Sequence, residues 1–155
     1  MFILKLGVGV ACIYLCCKIA ITKASVLKEN YLFWESAVSL CNYLLQEFSY
    51  KKRPLLGFGD KNYTSSDFKI LLNCFLNNKE VNYPKYLSDC EIVKLTTFFN
   101  EIGKSDSETQ KIAINSYKND FESILIDKKA EYKKTYSVTL KVGFSMGIMM
   151  LVMVI

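Results

Sequence analysis

The chain has 155 residues, of which 51% are apolar and 14% aromatic, so it can form one compact domain but not two. Its 20 basic residues outnumber its 15 acidic residues, and the resulting net charge of +5 is too modest to indicate nucleic-acid binding by itself. The chain contains no histidine, which removes the commonest general base and the commonest metal ligand.

The first segment, residues 2–21, is apolar apart from Lys5 and Lys18. This pattern suits either a signal sequence or a permanent transmembrane helix. The segment lacks the small-x-small pattern of a cleavage site, so we favour a retained transmembrane helix over residues 1–22.

Two pairs of small residues stand four positions apart, one pair near each end of the chain. They are Gly7 with Ala11 and Gly143 with Gly147. Such pairs let membrane helices approach each other closely, but they also arise by chance. The sequence allows two interpretations: specific helix packing at these positions, or pairs that arose by chance.

From Val26 to Tyr50 the apolar residues recur at steps of three and four, which predicts an amphipathic helix. This helix is expected to end before Pro54, because a residue that precedes proline is pushed out of the helical region. Glycine and polar residues over 57–62 then predict a loop. The buried face is expected to contain Leu27, Tyr31, Trp34, Val38, Cys41, Leu44, Leu45 and Phe48.

Two shorter helices are predicted next. Ser65 or Ser66 caps the first of them, which ends at Asn77. Ser88 and Glu91 form a capping-box pattern at the start of the second. No segment alternates apolar and polar residues as a strand would, so no sheet is expected. The apolar residues of the first helix are Phe68, Ile70, Leu71, Leu72, Cys74, Phe75 and Leu76, and the second helix is expected to bury Ile92, Leu95, Phe98, Phe99 and Ile102.

A short turn precedes the last helix. Gly103 is suited to closing the preceding helix, and Ser105 is expected to accept a hydrogen bond from the backbone N–H of Glu108. Asp106 and Glu108 place negative charge at the positive end of the helix dipole. Capping explains Gln110 least. We interpret the exposed turn as either a protein contact or a structural hinge, formed by Gly103, Lys104, Ser105, Asp106, Glu108 and Gln110.

The last helix changes character along its length. Its pattern is amphipathic from Ser105 and apolar on all sides from Val138. Because no glycine or proline lies between Ser105 and Val142, one continuous helix is expected to lead into a transmembrane segment over 136–155. Lys141 is the only charge in that segment, and its long side chain can reach the headgroups.

These elements predict an all-α protein, with an antiparallel bundle of about four helices over 23–135 between transmembrane helices at 1–22 and 136–155. Lysines crowd both membrane borders, whereas all acidic residues lie between Glu29 and Glu131. Under the positive-inside rule, the central domain is therefore cytoplasmic. The border lysines are expected to meet lipid headgroups rather than nucleic acid.

The chemistry of an enzyme is missing from the sequence. The six cysteines show no CxxC spacing, so we interpret them as small apolar side chains instead of metal ligands or disulfides. Capping and solvation account for Glu101, Asp106 and Glu108, with a catalytic acid pair as the alternative. We therefore expect a non-enzyme with no catalytic, metal or cofactor-binding residues and no small-molecule substrate.

The predicted turn also carries a resemblance to a known family. Residues 98–110, Phe-Phe-Asn-Glu-Ile-Gly-Lys-Ser-Asp-Ser-Glu-Thr-Gln, resemble the Leu-Gly-x-Ser-Asp-x-x-x-Gln signature of stage III sporulation protein AB, with isoleucine replacing the usual leucine. Residues 44–50, followed by Pro54, are similar to the family's first soluble helix and its proline turn. The sequence departs from the family pattern between Leu56 and Tyr86, where the family usually continues directly into a helix.

The resemblance implies a structural membrane component of the channel between mother cell and forespore, located in the mother-cell membrane. It implies a soluble domain similar to the inner-membrane platform protein of type II secretion and type IV pilus machines. The implied partners are other stage III sporulation proteins, including the AA ATPase. A membrane-tethered sensor or regulator of sporulation and a membrane-anchored enzyme are the alternatives.

Overall fold

The computed structural model describes residues 2–50, 63–102, 104 and 106–154, with only the backbone described for parts of both terminal segments. Within these residues the chain forms four α-helices and no strand. The predicted all-α class is confirmed. The helices are α1 (Phe2–Tyr50), α2 (Ser66–Leu76), α3 (Asp89–Glu101) and α4 (Ser107–Val154).

The chain divides into two compact units, and α1 and α4 each contribute residues to both. The central unit comprises Glu29–Asp127, and the terminal unit comprises Met1–Lys28 with Lys128–Ile155. The sequence places the boundaries between membrane and soluble segments after residues 22 and 135. These boundaries stay a prediction.

Over the part of the chain that the structure describes, no helix is both long enough and apolar enough to cross a membrane. The spans predicted over 1–22 and 136–155 include many residues whose side chains lie outside that description. The four small residues predicted to pack membrane helices lie on helical backbone, but their surroundings fall outside the described residues: Gly7, Ala11, Gly143 and Gly147.

An aromatic cluster forms the core of the central unit. The ring of Trp34 lies 5.8 Å from that of Phe33 and 5.3 Å from that of Phe121, measured between centroids. Phe68 and Phe98 extend the cluster through centroid distances of 5.2 Å to Phe33 and Phe121, respectively. All five side chains are buried. Since each ring removes a large apolar surface from water, this cluster stabilises the packing of the four helices.

α1 is buried on a wider arc than its sequence pattern predicts. The expected stripe through Trp34, Cys41 and Leu44 is present, but Phe33 and Leu40 are equally inaccessible to water. Phe33 packs on α2, whereas Trp34 packs on α4. A helix that contacts neighbours in two directions buries more than one stripe.

The predicted ends of the short helices are confirmed. Ser65 accepts from the Phe68 N–H at 3.4 Å, and the Ser88 N–H donates to the Glu91 carboxylate at 2.8 Å in a capping box. Asn78, with φ of 50°, closes α2 in the left-handed region. There the Lys79 N–H reaches the Cys74 carbonyl at 2.9 Å, as in a Schellman motif. These local bonds determine where α2 and α3 begin and where α2 ends.

Candidate interaction site

The turn between α3 and α4 is closed by backbone hydrogen bonds. Ile102 follows α3 in extended conformation, and its N–H donates to the Phe98 carbonyl at 3.2 Å. The Lys104 N–H donates to the Glu101 carbonyl at 3.3 Å. Gly103 and Ser105 lie outside the described residues.

Asp106 occupies the capping position of α4 that the sequence analysis assigned to Ser105. Its carboxylate accepts from the Thr109 N–H at 3.2 Å, and its carbonyl accepts from the Gln110 N–H at 2.9 Å. Hydrogen bonds from the Thr109 side chain and backbone hold the pKa of Asp106 below its ordinary value. The predicted register was therefore wrong by one residue, because α4 begins at Ser107 and its capping position falls on Asp106.

Gln110 is buried, with 3% of its surface exposed, and this corrects the prediction that it belongs to an exposed turn. Its side-chain Nε2 donates to the Glu101 carbonyl at 3.4 Å. The reason is its position on α4, since Gln110 lies on the same helical face as Ile114 and Phe121, which are both buried. Gln110 therefore joins the end of α3 to the first turn of α4.

Tyr117 adds a second link between the same helices that the sequence analysis missed. Its hydroxyl donates to the Glu101 carboxylate at 2.6 Å. Burial, with the Glu101 hydrogen bond and charge, raises the pKa of Tyr117 to about 12. The available signal was its position seven residues after Gln110, which places both side chains on one face of α4.

An apolar groove of about 280 Å³ opens beside this turn, within the central unit. Phe98 and Ile114 contribute apolar surface, and Glu101 and Lys104 contribute charged groups to its lining. A space of this size accommodates one large side chain of a partner protein. The full lining is Phe98, Glu101, Ile102, Lys104, Thr109, Gln110, Ala113, Ile114 and Tyr117.

A second groove of about 280 Å³ also has Ile102 in its lining. Phe75 and Phe99, stacked at 4.3 Å between centroids, contribute to its lining. Its other lining residues are Leu40, Leu44, Leu72, Leu76, Asn78 and Asn100.

The remaining predicted turn residues are exposed. Lys104 and Glu108 face water, and the Glu108 carboxylate pairs with the Lys111 ammonium at 2.9 Å. Among the residues described, no group of three or more Cys, Asp or Glu side chains is arranged to hold a metal ion. The arrangement therefore separates two roles: Asp106 and Gln110 shape the turn, and Lys104 and Glu108 present charge beside the groove.

Comparison with known proteins adds no identification. Models of known protein families, curated proteins and solved structures all gave no match.

Proposed function

We propose that this protein is a structural membrane component of the sporulation channel between mother cell and forespore, where it acts as a platform beside a cytoplasmic ATPase. The groove at the α3–α4 turn carries the proposal. It opens within the residues that resemble the signature of stage III sporulation protein AB. The proposed ATPase partner is sporulation protein AA, and the central unit is its cytoplasmic docking surface.

The groove is suited to a protein partner. Partner side chains that fill well-packed pockets contribute most of the binding energy at protein interfaces, while surrounding charges select the partner. Here apolar side chains such as Phe98 line the groove, and Lys104 and Glu108 supply charges at the turn. Gln110 and Glu101 both line the groove and are joined by the hydrogen bond from the Gln110 side chain to the Glu101 carbonyl.

Exposed apolar side chains support the proposed membrane anchoring. In α1, Leu15, Ile19 and Ile21 are 58%, 61% and 67% exposed. In the second half of α4, Val142 and Met149 are 54% and 67% exposed. Several exposed apolar side chains in one segment favour contact with lipid or with another protein. We propose lipid, with one span at each end and the central unit in the cytoplasm.

The experiment fills the groove with a side chain of the protein itself. Ala113→Phe adds a ring at a residue that lines the groove, and Ile112→Phe adds the same ring one position away, at a side chain that is 73% exposed. We expect Ala113→Phe to weaken co-purification with the AA ATPase about tenfold and to reduce the yield of heat-resistant spores. Ile112→Phe is expected to behave as wild type.

Circular dichroism and the thermal unfolding midpoint establish that both full-length variants are folded. Equal ATPase recovery and equal spore yield for wild type and folded Ala113→Phe would contradict the platform proposal.

A sensor or regulator of sporulation is the second candidate, favoured by the unbroken course of α4 from Ser107 to Val154. A continuous helix can carry a change at one end to the other. Insertion of two glycines between Asp127 and Lys128 interrupts this helix without altering any groove residue. A sensor loses its response in this variant, whereas a platform retains ATPase recovery.

A further inference from the structure

The charges of the chain divide sharply between its two units. The terminal unit contains nine lysines and one acidic residue, Glu131, which gives a formal net charge of +8. The central unit contains eleven basic and fourteen acidic residues, which gives −3. The overall net charge of +5 therefore conceals a basic terminal unit and an acidic central unit.

Three of these lysines form a compact group on α4. Lys129, Lys133 and Lys134 lie within six residues, and all three side chains are exposed. Lys129 and Lys133 are one helical turn apart, so their ammonium groups repel each other along the same face. An anionic surface offsets this repulsion with opposite charge, whereas salt only screens it.

Apolar and aromatic groups accompany the lysines in both terminal helices. On α4, the rings of Tyr132 and Tyr136 lie 5.8 Å apart, and exposed Val138 and Val142 follow. On α1, the Lys18 ammonium lies 5.7 Å from the centroid of the Tyr14 ring. Tyrosine next to lysine and bordered by aliphatic side chains is typical of the interface between headgroups and hydrocarbon.

We propose that the terminal unit binds anionic phospholipid headgroups through Lys129, Lys133 and Lys134. This inference rests on the proposed membrane anchoring and adds the class of lipid. A nucleic acid would also attract the lysines, but it would leave the neighbouring valines exposed to water. A bilayer satisfies both groups at once, because phosphates meet the lysines and hydrocarbon covers the valines.

The test compares two triple variants of the full-length protein in a non-ionic detergent. The first, the α4 variant, removes the proposed site through Lys129→Gln, Lys133→Gln and Lys134→Gln. The second, the central-unit variant, removes the same amount of charge from exposed lysines of the central unit through Lys69→Gln, Lys79→Gln and Lys85→Gln. Native mass spectrometry measures the apparent affinity for phosphatidylglycerol and for phosphatidylcholine at low and high salt.

We expect wild type and the central-unit variant to prefer phosphatidylglycerol, and high salt to weaken this preference. The α4 variant should lose between about tenfold and about 100-fold of the affinity for phosphatidylglycerol, with no change for phosphatidylcholine. Equal affinity of wild type for the two lipids, or equal losses in both triple variants, would overturn the proposal. Tighter binding to a single-stranded RNA than to phosphatidylglycerol would also overturn it and assign the site to nucleic acid.

A separate experiment tests whether the protein is anchored in the membrane at all. Alkaline carbonate extraction of cell membranes releases a protein without spans and retains a protein with them. Release of wild type into the soluble fraction contradicts the anchoring. Retention combined with equal affinity for the two lipids contradicts the headgroup proposal alone.

Discussion

At the scale of single residues, burial distinguishes polar residues whose roles are indistinguishable in the sequence. Asp106, Glu108 and Gln110 are three polar residues of one predicted turn. Asp106 and Glu108 are exposed, whereas Gln110 is enclosed and donates to the Glu101 carbonyl. This hydrogen bond makes a modest contribution to stability, because the Glu101 carbonyl also accepts from the Lys104 N–H.

Gln110→Ala is therefore expected to destabilise the protein by about 1 kcal/mol, since the Glu101 carbonyl loses one donor but keeps the Lys104 N–H, and side-chain volume is lost. Urea unfolding of the full-length chain in mild detergent, followed by Trp34 fluorescence, measures the change. Glu108→Ala is the control, because its exposed pair with Lys111 contributes at most about 1 kcal/mol. Equal unfolding midpoints for Gln110→Ala and wild type would show that the link is not required.

At the scale of helices, short-range hydrogen bonds determine where an element begins. The Ser88 capping box and a cap at Ser65 or Ser66 were predicted from residues adjacent in sequence. The capping box is present, and Ser65 is the residue that caps α2. The start of α4 was predicted one residue too early, because serine and aspartate are both good capping residues and the turn decides which one is used. Asp106 has this position, and its carboxylate accepts from the Thr109 N–H.

Ser88→Ala removes the acceptor for the Glu91 N–H and is expected to cost about 1 kcal/mol. The unfolding free energy, measured as for Gln110, gives the effect. Ser123→Ala provides a control of opposite sign, since Ser123 is exposed inside α4 and alanine is the better helix former. A Ser88→Ala protein as stable as Ser123→Ala would contradict a role for this cap.

At the scale of the whole molecule, buried acidic groups couple stability to alkaline pH. Burial raises the pKa of Cys41 from an ordinary value of 9.0 to about 12. Burial also raises the pKa values of Tyr63 and Tyr117 from 10.0 to about 12. The unfolded chain loses these protons at lower pH than the folded chain does. The stabilisation is therefore complete below about pH 9 and is lost as pH rises towards 12.

We expect the urea concentration at the unfolding midpoint to decrease as pH rises from 10 to 12. Tyr117→Phe should make this decrease less steep. Tyr136→Phe removes an exposed ring hydroxyl of the terminal unit and should leave the slope unchanged. Measurements at half-unit pH intervals compare the three proteins. A slope in Tyr117→Phe as steep as in wild type would exclude Tyr117 as a source of the pH dependence.

The all-α class and the short helices were predictable from the sequence, and the site was predictable only in part. Helical periodicity indicated the all-α class, and cap residues indicated the short helices, because both signals arise from neighbours within about four positions. The turn at 102–110 was also located from its motif. Its groove was not, because the groove depends on how two helices approach each other.

What the sequence determined by itself was the order of the helices, the capping of α2 and α3, and the concentration of lysines towards the two ends. Only the tertiary structure decided that α1 buries Phe33 as well as Trp34, that Gln110 is enclosed, and that Tyr117 reaches Glu101. The physical reason is the range of the interactions. A hydrogen bond within one turn is set by adjacent residues, whereas burial depends on which distant helices pack together.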